Sequence, residues 1–274
     1  MDFDLLLDPF GARWPEMRDA ARMAEDLGFG GVWTWDHLAG QAHGADGVLE
    51  CWTVLSALAA VTDRVMLGPL VLNVANRRPG HLATMAATLQ EVSGGRLLLG
   101  LGAGGGQGTP YPAEQEALGV AVPADPVRRR QVEEAVHVVR QVWTGSVEPW
   151  HGEHYALGTA GGFLRPDPPP PVIIGGFGPR TMALAGRVGD GLNTQAEHPQ
   201  LAELVDVARR AHTAAGGNAD HFLVTVFARL HPRWADPASP ERQRLAEVGV
   251  DRLILLASPP FDRAAIAALA AGIG

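Results

Sequence analysis

The sequence predicts a (β/α)8 barrel, and three observations predict it. Short apolar runs alternate with amphipathic helical stretches, eight of each in 274 residues. The runs are apolar on both faces, as in Leu97-Leu98-Leu99, which marks parallel strands covered on both sides. Glycines gather just past the ends of two runs, at 100–106 and 175–178. A doubly wound sheet is the structural alternative. It calls for fewer strands and a break in the alternation.

Residues 3–7 form the first strand, closed by Asp8-Pro9. Pro15 opens a helix with Met17, Ala20, Ala21, Ala24 and Leu27 on one face and Gly28 as its stop. Residues 31–35 make strand two, with Asp36-His37 at its exit, and a polar loop runs from Gly40 to Gly47. Helix two covers about residues 50–60. Strand three, 65–72, is interrupted by Gly68-Pro69, which suggests a bulge. Pro79 opens helix three, with Leu82, Met85, Ala86, Leu89 and Val92 at helical spacing, and strand four runs from Leu97 to Leu101. A Gly- and Pro-rich insertion follows at 103–124. Asp125-Pro126 makes the cap and first turn of a helix that buries Val132, Ala135, Val136, Val139 and Trp143 and stops at Gly145. A second insertion, 150–171, reads as irregular and ends in four prolines. Strands at 172–174, 191–194, 222–230 and 252–257 then alternate with helices at 179–188, 199–212, 240–248 and 262–271. No linker interrupts the alternation, so 1–274 reads as one domain with insertions after strand four and before strand five.

Composition narrows the function. Hydrophobic residues make up 46% and charged residues 19%, enough apolar material for a large core. Net charge is −8 and pI ≈ 5.7, which gives no electrostatic case for nucleic acid or an anionic membrane. No apolar run approaches a membrane span and no signal pattern opens the chain, so a cytoplasmic protein acting on a small molecule is expected. Cys51 is the only cysteine, which excludes an internal disulfide. All 22 basic residues are arginine, which excludes Schiff-base and Walker-type lysine chemistry.

Candidate site residues sit at the strand exits, where barrels of this kind bind ligands. Gly100-Leu101-Gly102-Ala103-Gly104-Gly105 satisfies a dinucleotide-type G-x-G-x-x-G, but Gln107-Gly108-Thr109-Pro110 follows where a Rossmann helix would have to start. The run instead reads as a loop that lets a flat ring or phosphate approach. At Gly175-Gly176-Phe177-Gly178-Pro179-Arg180 a strand turns through glycines into a helix, so N–H groups and helix dipole would converge on an anion, with Arg180 adding a charged fork. Asp36 and His37 leave strand two, where His37 would pass a proton or hydrogen-bond a ring atom, or simply cap the next segment. Glu50 either joins them or complements the dipole of helix two. His151-Gly152-Glu153-His154 has a metal-like composition but reads as a solvated loop, and the run Arg128 to Arg130 reads as a solvated helix face.

Taken in order, Asp36-His37, Glu50-Cys51-Trp52, residues 65–71, Arg77-Arg78-Pro79, residues 93–104 and residues 174–180 resemble the bacterial-luciferase-like family of flavin- and deazaflavin-dependent oxidoreductases, with the F420-dependent branch nearest. The resemblance spans about residues 1–200. It implies a barrel, usually dimeric, that binds F420 or FMN at the C-terminal ends of its strands. It places Gly102, Ala103 and Gly104 along the cofactor, and Gly175, Gly176, Phe177, Gly178 and Arg180 at its phosphate. It also implies a non-proline cis bond at Leu70–Val71, with Leu70, Val71 and Asn73 backing the ring. The catalytic candidates are His37 and Asp36.

The chain departs from the family's glucose-6-phosphate dehydrogenases at two places. Gly105 stands where they carry an acid, and Gln41 where they carry a tryptophan, so that sugar-phosphate activity is not expected and no acid is evident in place of the lost one. The leading expectation is an F420-dependent oxidoreductase acting on a small organic substrate, functioning as a homodimer. An FMN-dependent monooxygenase that uses O2 is the alternative, and a cofactor-binding protein without turnover is the alternative of another class. Arg180, Arg77 or Arg78 would meet the acidic tail of F420.

Overall fold

The computed structural model describes residues 1–159 and 161–273. Its strands are β1 (Asp2–Leu7), β2 (Gly31–Thr34), β3 (Met66–Pro69), β4 (Leu72–Asn73), β5 (Leu99–Gly102), β6 (Trp150–His151), β7 (Ala156–Leu157), β8 (Val172–Gly175), β9 (Gly191–Gln195), β10 (Leu223–Arg229) and β11 (Arg252–Ala257). Its α-helices are α1 (Trp14–Asp26), α2 (Cys51–Ala59), α3 (Pro79–Val92), α4 (Pro112–Ala117), α5 (Asp125–Thr144), α6 (Pro179–Val188), α7 (Leu201–Ala214), α8 (Pro240–Val248) and α9 (Arg263–Ala270).

Nine strands pair in the order β3-β2-β1-β11-β10-β9-β8-β5-β4, every pair parallel. The ring closes where the Leu67 N–H donates to the Arg96 carbonyl at 2.8 Å and the Leu98 N–H to the Leu67 carbonyl at 2.9 Å. β3 and β4 are two pieces of one barrel strand, so the eight-strand count stands. The break lies at the cis peptide Leu70–Val71, two residues beyond the expected interruption at Gly68-Pro69.

Alternation along each strand sorts the core into two layers. Leu6, Trp33, Leu98, Ile173 and Ile254 fill the barrel. Their neighbours Leu5, Leu7, Val32, Leu97, Leu99, Val172, Ile174, Leu253 and Leu255 pack outward against the helices. Trp33 explains Gly68: a Cβ there would lie 2.3 Å from the indole ring. Trp33 is thus barrel core. Its Nε1 donates to the fully buried Asp4 at 2.7 Å, and Arg252 donates to the same carboxylate at 2.8 and 2.9 Å. Burial pushes the Asp4 carboxyl up and Arg252 opposes it.

Both insertions hold structure where irregular chain was expected. The first contains α4, opened by Pro112 as its first residue. The second contains the antiparallel hairpin β6–β7; its residue 160 lies outside the described residues. The cap of α5 also differs: Ala124 occupies that position without a side-chain bond, and Asp125 pairs with Arg128 within the first turn.

The glycines of β5 and β8 answer to Val71. Added Cβ atoms at Gly102 and Gly175 would lie 2.6 and 2.7 Å from its Cγ2, and one at Gly100 would lie 2.1 Å from the Pro69 carbonyl oxygen. We expect Gly102→Ala to destabilise by about 1–3 kcal/mol, as overpacked cores do. Most of that loss should disappear in a Val71→Ala background, because the Gly102 Cβ would be 3.8 Å from the Val71 Cβ. Urea unfolding of the two single variants and the double variant measures the coupling.

Candidate functional site

All strand exits named from the sequence open at one end of the barrel, as parallel strands require. Asp36 and His37 follow β2, Asn73 ends β4, Ala103 and Gly104 follow β5, and Gly176 to Gly178 follow β8. Trp35, Val71, Phe227 and Leu256 pack on the barrel core from this side and form an apolar floor. Phe177 stands at the rim, 57% exposed, with its ring 6.3 Å from that of Phe227.

Asp36 is wholly committed. Its side chain has no solvent exposure. Arg77 grips it with two bonds of 2.9 and 2.8 Å, and the Asn73 N–H donates to it at 2.8 Å. Arg77 also donates to Glu50, so this arginine is occupied with two carboxylates. Glu50 caps α2, accepting from the N–H groups of Trp52 and Thr53. Burial would raise the Glu50 carboxyl, but these bonds and those from the Thr53 hydroxyl and Arg77 outweigh it and hold it low. Cys51 is buried next to this cluster, and burial with the nearby Asp36 pushes its thiol well up, which makes it unreactive.

His37 has a partner that the sequence reading missed. Its Nδ1 lies 3.0 Å from Oε1 of Glu114, while Oε2 of Glu114 accepts the N–H groups of Leu38 at 2.9 Å and Ala39 at 3.2 Å. Glu114 is the third residue of α4, so the glycine-rich insertion folds back over the barrel mouth and returns an acid to it. This corrects the expectation that no acid replaces the one absent at Gly105. The signal was present in Pro112-Ala113-Glu114, a proline at a helix start with an acid in the first turn. The surrounding glycines and prolines masked it.

Burial would raise the Glu114 carboxyl, but the bonds from His37, Leu38 and Ala39 outweigh it and hold it low. A folded value below the ordinary 4.5 means that its contribution to stability is complete above that pH and fades as pH falls through the folded value. The stability difference between the parent chain and Glu114→Gln should therefore shrink below about pH 4.5, which urea midpoints at stepped pH will show.

Around His37 lie Phe10, His43 and Tyr111, with ring centroids at 5.1, 5.5 and 5.0 Å. His43 stacks on Phe10 at 3.9 Å, and burial together with the adjacent His37 pushes its imidazole below the ordinary value. Neither His43 nor its stacking partner Phe10 was singled out by sequence, because each stands alone in a loop.

Arg128 is also corrected. It is buried rather than solvated, and its Nη1 donates to the carbonyls of Ala103, Gly104 and Gly105 at 2.8, 2.7 and 3.0 Å. A glycine loop has no side chains to satisfy its own carbonyls, so a guanidinium from α5 supplies the donors. Gly104 is additionally fixed by Asn73, whose side-chain nitrogen would lie 2.3 Å from an added Cβ. At the second glycine turn, Gly178 caps α6 without a side-chain acceptor, and an added Cβ there would meet open space. Pro179 has no N–H, and those of Thr181 and Met182 donate to the Gly178 carbonyl at 3.0 Å, which leaves the Arg180 N–H in this first turn for an external acceptor. Arg180, the second residue of the same helix, stands exposed. Near the second insertion, Glu134, Glu153 and His154 come within 4.8 Å of one another, but Glu134 is used by the N–H groups of Glu153, His154 and Tyr155.

The family model described as luciferase-like monooxygenase matches residues 4–263. The chain belongs to that family. It is 32% identical over 223 residues to an F420-dependent glucose-6-phosphate dehydrogenase of Microbacterium testaceum, covering 79% of this chain and 65% of that protein. It is 29% identical over 249 residues to a 5,10-methylenetetrahydromethanopterin reductase of Archaeoglobus fulgidus, covering 90% and 68%. The chain thus spans about two thirds of the length of these relatives. An F420-dependent secondary alcohol dehydrogenase, solved with an F420-acetone adduct, superposes with a TM-score of 0.85 at 20% identity, covering 100% of this chain and 99% of that one. This likeness establishes the luciferase-like barrel fold. Among the described residues no helix is long and apolar enough to cross a membrane.

Proposed function

We propose that this luciferase-like protein is an F420-dependent oxidoreductase that exchanges a hydride with a small organic substrate. The observation that carries the reading is the half-buried pair His37–Glu114, set over an apolar floor in the same barrel mouth as the N-terminus of α6, which no side chain caps. The relatives named above support the deazaflavin rather than FMN.

The residues present fit such a cofactor. An aromatic ring matches the floor of Trp35, Val71 and Phe227, and a phosphate matches the α6 terminus, with Gly176, Phe177 and Gly178 forming the turn and Arg180 beside it. When bound, the deazaflavin supplies the hydride chemistry. The chain's own residues do the rest. Glu114 is ionised and can only accept, so the shared hydrogen sits on Nδ1 of His37. Nε2 is then the atom that takes or gives the proton balancing hydride transfer on a hydroxyl or carbonyl. Asp36 is a positioning residue: gripped by Arg77, it holds the backbone from which His37 projects. Gly102, Ala103 and Gly104 shape the wall, and Leu70, Val71 and Asn73 back the ring position. The resemblance also carries a homodimer into the proposal, which light scattering tests.

Fluorescence titration of the purified protein with F420 and with FMN tests the reading. Binding of F420 at micromolar concentration or below, with FMN much weaker, is expected. FMN binding alone would overturn the proposal in favour of O2-linked chemistry. If neither binds, the barrel mouth is not a flavin-type site.

A further inference from the structure

Beside the His37–Glu114 pair the barrel mouth carries a wall of rings with a common orientation. His43 is its hub. Its ring centroid lies 3.9 Å from Phe10, 5.8 Å from Trp35 and 5.8 Å from Tyr111. The three planes are tilted from that of His43 by only 23°, 34° and 27°. Phe10 is buried, whereas Trp35 and Tyr111 are half-buried and His43 is exposed. The wall therefore keeps ring surface open to the mouth.

Separate segments hold these rings in place. The Phe10 N–H donates to Asp8 at 3.0 Å, and Phe10 bridges to Val48 across the loop that carries His43. That loop closes tightly at Gly40, where an added Cβ would lie 2.3 Å from the Ala45 carbonyl oxygen. Tyr111 stands at the N-terminus of α4 and packs against Gly105, where an added Cβ would lie 2.4 Å from the Tyr111 Cβ. A side chain at position 105 and the present place of Tyr111 thus exclude each other.

The carboxylates around the wall are already engaged. Asp36 is held by Arg77, Glu114 by His37 and two N–H groups, and Asp8 by the Phe10 N–H and the Ser258 hydroxyl at 2.9 Å. A substrate rich in hydroxyls finds few free acceptors among these groups. A flat ring that adopts the tilt of the wall meets the faces of Tyr111 and Trp35, and offset stacking of that kind is favourable beyond the area it buries.

We infer that this wall selects a flat aromatic carbonyl compound, or the alcohol it forms, as the substrate. The inference rests on the F420 reading above and names the substrate class of that site. Reduction adds the hydride to the carbonyl carbon and the His37 proton to its oxygen, and the reduced deazaflavin that gives the hydride is oxidised in the same step.

The test uses two ketones of similar size and polarity, one flat and one puckered: acetophenone and cyclohexyl methyl ketone. Each is titrated by ligand-observed NMR into the protein loaded with oxidised F420, so that no turnover intervenes. Acetophenone should bind roughly fivefold more tightly, the worth of one aromatic contact beyond its area. This comparison needs no variant to fold. The preference should fall toward unity in Tyr111→Leu/His43→Leu, which keeps apolar bulk and removes the ring faces, and should hold in Tyr111→Phe. Equal affinity, tighter binding of the puckered ketone, binding of neither, or a preference that survives in the double variant would overturn the inference while leaving the cofactor reading intact. Failure of F420 to bind, followed by fluorescence in the same samples, would overturn the cofactor reading and the inference with it.

Discussion

Glu114→Gln is expected to lower kcat of F420-linked turnover by roughly 10²-fold, the scale of a positioned proton-transfer group. The N–H groups of Leu38 and Ala39 demand an acceptor, so the amide oxygen of the glutamine must take the place of Oε2. Its NH2 then faces Nδ1 of His37 and donates to it. That moves the ring hydrogen to Nε2 and removes the atom arrangement on which proton exchange depends. Binding of F420 should change little, because Glu114 belongs to the wall of histidines and not to the apolar floor or the α6 terminus. His37→Ala should match the loss, and the double variant should be no worse than either single one, as expected for residues acting as a unit. Nitrogen NMR of the imidazole reads the tautomer directly. A variant that keeps the Nδ1–H tautomer and full kcat would remove the pair from the mechanism.

Arg77→Ala should be the most damaging single change to stability. It leaves the Asp36 carboxylate without solvent and with one N–H donor, that of Asn73. Removing one member of a buried ion pair costs about 3–5 kcal/mol. For a chain of this size that is a fall in Tm of roughly 6–15 °C. Pairing Arg77→Ala with Asp36→Asn should recover part of the loss, because the amide needs no counter-charge and its oxygen still accepts from Asn73. A small Tm change in Arg77→Ala alone would mean that the carboxylate finds water or another donor. His37 follows Asp36 directly, so the same substitution should also weaken the positioning of the imidazole and lower kcat beyond its effect on folding.

What the sequence determined by itself is the barrel and its address book of strand exits. Eight apolar runs, each apolar on both faces, have few other ways to be buried than a closed parallel sheet coated by helices. Parallel strands then force Asp36-His37, Asn73, Gly102–Gly104 and Gly175–Gly178 to one end. These signals are local: periodicity, a helix-opening proline, a glycine after a strand.

Only the tertiary structure decided which polar groups meet. Glu114 reaches His37 across 77 positions of chain, and Arg77 reaches Asp36 across 41. Arg128 turns inward because a loop of glycines leaves three carbonyls without donors, a demand that no residue of α5 displays in its own sequence. The glycines carried only part of their explanation when read alone. Gly102 and Gly175 read as room for a ligand, and in the fold they also make room for Val71, a residue from another strand. Hydrogen-bond satisfaction and close packing are conditions on groups distant in the chain, and they take effect only when the barrel brings those groups together.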